Sequence, residues 1–146
     1  MNVQEQTRLE WSELGFFYDR DDSLKEWLII GSRAGIRRFS ELLRAYAANP
    51  RHADPSEHEH FGPYMYLKVM TWPDAEISRD SVHGTLDQLH RLADLVDARV
   101  TPLQPGARTT IRDEFAADSE YALVIELRAD GFDPASADAA LNQAAD

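Results

Sequence analysis

One stretch of the chain decides the fold: Glu26-Trp27-Leu28-Ile29-Ile30-Gly31-Ser32-Arg33-Ala34-Gly35-Ile36. It begins with an apolar run that predicts a strand over Glu26–Ile30. From Ala34 onward the apolar residues recur at the i, i+3, i+4, i+7 spacing of one helical face. Ser32 is placed to cap this helix, and Asn49-Pro50 is expected to end it. The sequence therefore predicts a strand that leads directly into an amphipathic helix.

A second amphipathic helix is predicted from a stripe of apolar residues at the same spacing: Val82, Leu86, Leu89, Leu92, Ala93 and Val96. Ser78 is its expected N-cap, because a serine oxygen accepts hydrogen bonds from the free backbone amides of a first turn. Two more strands are predicted from alternating apolar and polar residues, Tyr64–Trp72 and Tyr121–Arg128. Leu14–Tyr18 and Arg108–Asp113 are predicted as weaker strands joined to Glu26–Ile30 and to Tyr121–Arg128. A short C-terminal helix is expected from Asp133-Pro134.

The order of these elements predicts the fold class. Strands mixed with helices that each carry one apolar stripe indicate an α+β fold. A length of 146 residues suits one domain. We therefore expect a single two-layer domain over residues 1–146, with a mostly antiparallel sheet, two main amphipathic helices on one face and a short C-terminal helix. The expected core combines apolar residues of both layers: Met65, Leu67, Val69, Leu123, Ile125 and Leu127 against Ile36, Phe39, Leu43, Leu86, Leu89 and Ala93.

Composition excludes several classes of protein. The chain is 43% hydrophobic and 28% charged, which is typical of a globular protein and not of a disordered one. The absence of cysteine excludes disulfides, thiolate zinc sites and cysteine nucleophiles. Met1–Gln6 does not resemble a signal peptide, and the longest apolar run, Tyr121–Ile125, is far shorter than the roughly 20 residues that cross a bilayer. We expect a cytoplasmic protein that does not bind membranes.

The charge is strongly negative and unevenly distributed. The net charge is −11, and residues 74–146 hold 6 basic and 15 acidic side chains. Such a field repels phosphate backbones, so nucleic-acid binding is not expected. It attracts a basic protein instead. Asp94 and Asp97, in this acidic half, are therefore predicted to contribute to partner binding.

An aromatic row is the second indication of a partner. If Met65, Leu67 and Val69 face the helices, the alternation turns four other large residues outward: Tyr64, Tyr66, Met70 and Trp72. These residue types are enriched at protein–protein interfaces, and we predict that they bind the partner. The alternative is that the N-terminal segment or the last helix covers them, since large apolar patches are rarely exposed on monomers.

Two groups of histidine and carboxylate residues are candidate metal ligands: His58 and His60 in a predicted surface loop over residues 49–62, and His83, Asp87 and His90 along one edge of the second helix. A structural zinc site needs four well-oriented ligands, which neither group provides. We therefore expect solvated side chains, no bound metal and no other cofactor.

Motifs of catalysis are also missing. Gly31 and Gly35 follow a strand and open a helix, as in a phosphate-binding loop, but their spacing matches neither the P-loop nor G-x-G-x-x-G. A tight turn with a serine cap is the simpler interpretation. The sequence contains no G-x-S-x-G and no H-E-x-x-H, so an enzyme is not indicated.

The run Leu28–Phe39, with the histidine segment and the strand that follow, resembles small bacterial immunity proteins of polymorphic toxin systems. The resemblance spans about residues 26–70, and the matching positions are Gly31, Gly35, His58 and His60. Ile36 stands where those proteins usually have leucine. The resemblance implies a cytosolic α+β protein that binds and neutralises a toxin. Together with the negative charge and the missing catalytic motifs, it leads us to expect a non-enzymatic, acidic binding protein whose partner is a basic toxin. The alternative hypothesis is a small-ligand or metal-binding protein, or an enzyme, that uses the histidine groups.

Overall fold

The computed structural model describes residues 1–142 and has an α+β fold, as predicted. The described helices are α1 (Val3–Leu14), α2 (Arg33–Ala48), α3 (Leu86–Val100), α4 (Asp113–Ala116) and α5 (Ala139–Asn142). The strands are β1 (Phe17–Asp21), β2 (Glu26–Gly31), β3 (His58–Phe61), β4 (Leu67–Thr71), β5 (Glu76–Ile77), β6 (Val82–Gly84), β7 (Arg108–Ile111) and β8 (Ala122–Leu127). Short 3-10 helices cover Pro50–His52, Pro63–Met65 and Pro134–Ala137.

The strands form two mixed sheets where the sequence predicted one mostly antiparallel sheet. The first has the order β1-β2-β8-β7, and the second has the order β3-β4-β6-β5. In each sheet the two central strands are parallel and each edge strand is antiparallel to its neighbour. The second sheet exists because two short segments outside the predicted strands, His58–Phe61 and Val82–Gly84, pair with the two sides of β4.

Helices α2 and α3 pack together and share the hydrophobic core with both sheets. Ten of the twelve predicted core residues are buried. Leu86 is half-buried, and Met65 is 59% exposed, so its prediction as a core residue is wrong. Met65 lies in the 3-10 segment before β4, where the side chains no longer alternate between two faces of a strand.

The predicted start of α2 is confirmed. The Ser32 side chain accepts a hydrogen bond from the Gly35 amide at 3.1 Å. Gly35 lies so close to the end of α1 that an added Cβ would be 2.3 Å from the Gly15 carbonyl oxygen. Arg33 reaches across to the end of α3 and donates to the carbonyl oxygen of Leu103 at 2.8 Å. The segment Gly31–Gly35 therefore forms a tight turn, capped by Ser32, that packs against the end of α1.

The predicted start of α3 is wrong. Its N-cap is Thr85, which forms a reciprocal capping box with Gln88. Ser78 instead stabilises a tight turn, in which its hydroxyl accepts from the Ser81 amide at 3.1 Å. Val82 pairs with Ile77 of β5 and belongs to strand β6. The segment Val82–Gly84 pairs with β4 on one side and with β5 on the other. This pairing outweighs the helical spacing of Val82 in the sequence.

Helix α1 was not predicted. It begins with a capping box between Asn2 and Glu5 and ends at Gly15 in the left-handed conformation (φ 91°). Only Thr7 and Trp11 are buried, so its apolar stripe is too sparse to give a helical pattern in the sequence. Among residues 1–142, no helix combines the length and the hydropathy that a membrane span requires.

Candidate binding cleft

A cleft of about 660 Å³ lies between α1, the β1–β2 hairpin, the turn before β4 and the C-terminal segment. Six aromatic residues line it: Trp11, Phe17, Tyr18, Trp27, Tyr64 and Tyr66. Its charged lining consists of Asp19, Arg20, Arg79, Asp80 and Asp138. The described lining contains no serine, histidine or lysine.

The turn over Tyr64–Tyr66, which we name the aromatic turn, forms one wall of the cleft and has an unusual backbone. Tyr64 and Met65 both have positive φ, at 66° and 57°. Such a conformation costs a non-glycine residue about 1–3 kcal/mol and persists only where the surroundings enforce it. The three side chains remain 46%, 59% and 67% exposed in chain order. The protein therefore holds three large residues in solvent on a strained backbone.

Tyr18 holds the aromatic turn in place from inside the cleft. Its hydroxyl donates to the carbonyl oxygen of Pro63 and accepts from the amide of Tyr66 at 3.2 Å. Burial raises the pKa of Tyr18, so the hydroxyl keeps the proton that it donates. His60 of β3 adds a hydrogen bond between its Nδ1 and the Met65 carbonyl oxygen at 2.9 Å. These bonds fix both sides of the strained residues.

Asp138 joins the aromatic turn to α1. One of its oxygens, Oδ2, accepts from Trp11 Nε1 at 2.8 Å and from the Tyr64 hydroxyl at 2.7 Å. Its Oδ1 accepts from the Ala140 amide at 3.0 Å. Burial, and then the hydrogen bond to Asp138, raise the pKa of Tyr64 to about 12. Asp138 is only 6% exposed and is a fixed acceptor at the floor of the cleft.

The two arginines at the rim are already engaged by a carboxylate that is not part of the lining. Arg20 Nε donates to Asp22 Oδ1 at 2.6 Å, and its guanidinium carbon lies 5.7 Å from the Trp27 ring centroid. Arg79 Nε lies 3.9 Å from the other oxygen of Asp22. The side-chain hydrogen bond from Arg20 is the largest cause that lowers the pKa of Asp22. The positive charge of the rim is therefore partly balanced.

The structure separates the predicted aromatic row into two parts. The Tyr64 and Tyr66 rings lie 6.0 Å apart and nearly parallel, at 28°, in the aromatic turn. Met70 is half-buried in β4 between His58 and His83 of the neighbouring strands. Trp72 follows the other end of β4, roughly 20 Å from Tyr66 at the rise of a strand, and is 40% exposed. The prediction of a single strand over Tyr64–Trp72 is wrong, because the chain turns before Leu67 and the strand begins there.

The alternative, that other segments cover these residues, holds only in part. The Trp11 ring of α1 lies 6.4 Å from the Tyr64 ring, and Asp138 binds its hydroxyl. Both contacts come from the two segments that the sequence suggested, the N-terminal segment and the last helices. Met65 and Tyr66 nevertheless remain mostly exposed.

Asp94 and Asp97 lie on α3, among residues that do not line the cleft. Arg44 of α2 donates to Asp94 at 2.8 Å and to Asp97 at 2.6 Å. The Ser40 hydroxyl also donates to Asp97, at 2.7 Å. These two carboxylates therefore connect α2 to α3.

The predicted histidine edge of the second helix does not form. His83 is a buried residue of β6, whereas Asp87 and His90 lie on α3. His90 Nδ1 is 3.7 Å from Asp94. The edge was predicted only because the helix was started seven residues too early, at Ser78 instead of Thr85.

His58 and His60 form part of an edge strand, β3, in the segment predicted to be a loop. Their rings are perpendicular at 5.3 Å, and each Nδ1 contacts a backbone carbonyl oxygen. Within residues 1–142, no three histidine or carboxylate side chains are grouped so that they could hold a metal ion.

A serine, a histidine and a glutamate come together in the second sheet, and the sequence did not predict that His83 would lie between Ser81 and Glu76. Ser81 Oγ lies 2.7 Å from His83 Nδ1, and His83 Nε2 lies 3.2 Å from Glu76 Oε2. Ser81 is buried, so its hydroxyl is not accessible to a substrate. Burial lowers the pKa of His83 and favours its neutral form. This arrangement gives hydrogen-bond partners to two buried polar side chains, Ser81 and His83.

Most of the cleft was also missed. Four aromatic residues between Trp11 and Tyr18 were a signal of an aromatic cluster, but nothing in the sequence connects them to Asp138. Comparison with known proteins finds no matching protein family, no similar curated protein and no similar solved structure. The chemistry of the cleft therefore carries the functional argument.

Proposed function

We propose that this chain is a non-enzymatic binding protein whose partner is a basic protein. Following the resemblance to immunity proteins, we propose that the partner is a toxin and that binding neutralises it. The observation that carries the proposal is the aromatic turn, Tyr64–Tyr66. Its three side chains are exposed, and two consecutive residues, Tyr64 and Met65, have positive φ.

The strain in the aromatic turn favours a binding role over a structural one. A backbone strained by about 1–3 kcal/mol at each of two residues lowers stability, and the exposed side chains recover little of that through burial. Tyrosine is enriched among the residues that dominate binding energy. The hydrogen bonds from Tyr18 hold the turn in one conformation before a partner arrives, which reduces the entropy lost on association.

The charges around the aromatic turn favour a basic partner. Glu10 and Glu13 of α1 line a depression beside Gly62, and Asp19 and Asp80 line the neighbouring cleft. The net charge of −11 adds a long-range attraction for cations. Asp94 and Asp97, which already bind Arg44, belong to this long-range field and not to the contact surface.

The proposed contact surface runs from the aromatic turn along β4 to Trp72. A standard interface covers about 800 Å² on each partner, and a patch of that size can include two points roughly 20 Å apart. Met70 lies between the two ends, on the same side of β4 as Trp72 by the alternation of the strand. Tyr64, Tyr66, Met70 and Trp72 are thus proposed contacts of one interface.

Small-ligand binding is the second candidate, and the size of the cleft favours it. Pockets for small molecules typically measure about 300–1,000 Å³ and are lined by aromatic side chains with a few polar groups. The cleft, at about 660 Å³, falls in this range. A small ligand would need the cleft alone, whereas a protein partner also needs Met70 and Trp72.

A kinetic binding assay against the protein encoded by the neighbouring gene tests the proposal. We expect association to slow steeply as the salt concentration rises, because the attraction is screened over about 8 Å at physiological ionic strength. Asp94→Asn and Asp97→Asn should slow association and leave dissociation nearly unchanged. Tyr66→Ala and Trp72→Ala should each speed dissociation. The loss of binding free energy should be on the order of 2 kcal/mol if the residue is an anchor.

Val3→Ala is the matched control, since Val3 is also an exposed apolar residue and lies at the far end of α1. It should change neither rate. No detectable binding, or binding that neither salt nor Tyr66→Ala alters, would contradict the proposal.

A further inference from the structure

We infer that the cleft is a binding site for the guanidinium group of one arginine side chain. This inference deepens the proposed function, on which its biological context rests: the arginine belongs to the basic partner. It depends on three features of the cleft. These are its aromatic walls, its carboxylates that pair with no cation, and the pairing of its own two arginines with Asp22.

The aromatic walls suit a planar cation. Tyr64 and Tyr66, which are exposed, line the opening of the cleft and offer their ring faces to a ligand. Trp11, Tyr18 and Trp27 line it from behind and are almost completely buried. A guanidinium group stacks on aromatic faces and is more weakly hydrated than the ammonium group of lysine, so it enters such a site more readily. Arg20 shows this geometry inside the protein, because its guanidinium group lies over the Trp27 ring and binds a carboxylate at the same time.

Asp138 provides a buried charge without a cation. Its three hydrogen-bond donors, Trp11 Nε1, the Tyr64 hydroxyl and the Ala140 amide, are all neutral. No ion pair within residues 1–142 includes Asp138. Buried carboxylates are normally paired with a cation, and about four acceptor sites on a carboxylate leave one more for a donor. A guanidinium group would supply both the charge and the donor.

Asp19 adds a second carboxylate at the rim. It is exposed, accepts only the amide of Arg20 at 2.8 Å and forms no ion pair in the described part of the chain. The cleft thus presents two carboxylates free of cations, whereas Arg20 and Arg79 are both close to Asp22. This balance favours a cationic ligand over an anionic one, such as a phosphate or a partner carboxylate.

The test uses N-acetyl-L-arginine amide as the probe and N-acetyl-L-citrulline amide, its neutral isostere, as the control. We expect the arginine compound to bind with a dissociation constant on the order of 1 mM, as a ligand of this small size can. The citrulline compound should bind at least about tenfold more weakly, because it lacks the charge that Asp138 and Asp19 select. N-acetyl-L-lysine amide, which carries the same charge as the arginine compound, should fall between the two.

The three tryptophans locate the probe in an NMR titration. The indole N–H signals of Trp11 and Trp27 should shift, because both rings line the cleft. The indole signal of Trp72, at the far end of β4, should not. Tyr66→Ala and Asp19→Asn should each weaken probe binding about fivefold or more, and both residues are exposed enough that folding is preserved. Trp72→Ala should leave probe binding unchanged.

The outcomes separate the two proposals. Absence of binding up to about 20 mM, twentyfold above the expected dissociation constant, or equal binding of the citrulline compound, would overturn the arginine site while the partner assay stands. Shifts of the Trp72 indole alone would overturn it too. Probe binding in the cleft without any partner binding would support the site and contradict the proposed function.

Discussion

Removal of one hydroxyl group, in Tyr18→Phe, should release the aromatic turn. The substitution keeps the ring, which packs at 5.2 Å from Trp11. It removes the hydrogen bonds to the Pro63 carbonyl oxygen and from the Tyr66 amide. Each such bond contributes about 1 kcal/mol, and a buried group left without a partner costs a further 1 kcal/mol or more. We expect the free energy of unfolding to fall by about 2–3 kcal/mol.

Tyr18→Phe should lower the stability of the whole protein, whereas its structural effect should be confined to the aromatic turn. For a chain of this size, about 2–3 kcal/mol lowers the melting temperature by roughly 6–10 °C. Hydrogen exchange of the Tyr66 amide should accelerate, since its acceptor is gone. Denaturant unfolding and amide exchange measure the two effects.

Tyr121→Phe is the matched control for this experiment. The Tyr121 hydroxyl donates to Asp22 at 2.8 Å, and Asp22 is exposed to solvent that can replace the bond. Its removal should cost less than about 1 kcal/mol. If Tyr18→Phe costs no more than Tyr121→Phe and leaves the Tyr66 amide protected, the account of a strained turn held by Tyr18 is refuted.

Four further predictions concern the rest of the fold. Leu89→Ala should lower the free energy of unfolding by about 2–5 kcal/mol in denaturant titrations, since Leu89 is fully buried. Gly35→Ala should lower it by about 1–3 kcal/mol, because the new Cβ would lie 2.3 Å from a backbone oxygen; an unchanged value would mean that α1 does not pack as described. Burial depresses the pKa of His83, so the folded state takes up a proton less readily than the unfolded chain; stability should decline as the pH falls below about 6.5, and His83→Gln should flatten that decline. Dialysed protein should contain no stoichiometric zinc, and a chelator should not shift its melting temperature; an ion bound by His58 and His60 would show that prediction wrong.

Local signals in the sequence predicted local structure well. Ser32 caps α2 through a bond to a residue three positions away, so the whole interaction lies within one short segment. The central strands β2 and β8 were also predicted, β2 from an apolar run and β8 from alternating residues, and both patterns lie within the strand itself.

Pairing between distant segments limited the rest of the fold prediction. Val82 fits a helical stripe, yet its pairing with Ile77 and Val69 places it in a strand. Strand β3 has almost no apolar residues and exists because its backbone pairs with β4. Both depend on partners that a window of sequence does not contain.

The cleft could not be predicted for the same reason. Its central contact joins Trp11, Tyr64 and Asp138, which are separated by more than fifty residues at each step. The alternation of a predicted strand turned Tyr64 and Tyr66 outward and left open whether another segment covers them. In the structure a turn with positive φ exposes them, and not the outer face of a strand.

Amide hydrogen exchange, measured on the free protein and on its complex with the protein encoded by the neighbouring gene, locates the binding surface. Strain and exposure in the aromatic turn predict that binding protects the amides of residues 62–72 and those around Asp19. Asp94 and Asp97, which act only through their field, should show no change in protection. Protection confined to α2 and α3, with residues 62–72 exchanging as in the free protein, would contradict the claim that the aromatic turn is the binding surface.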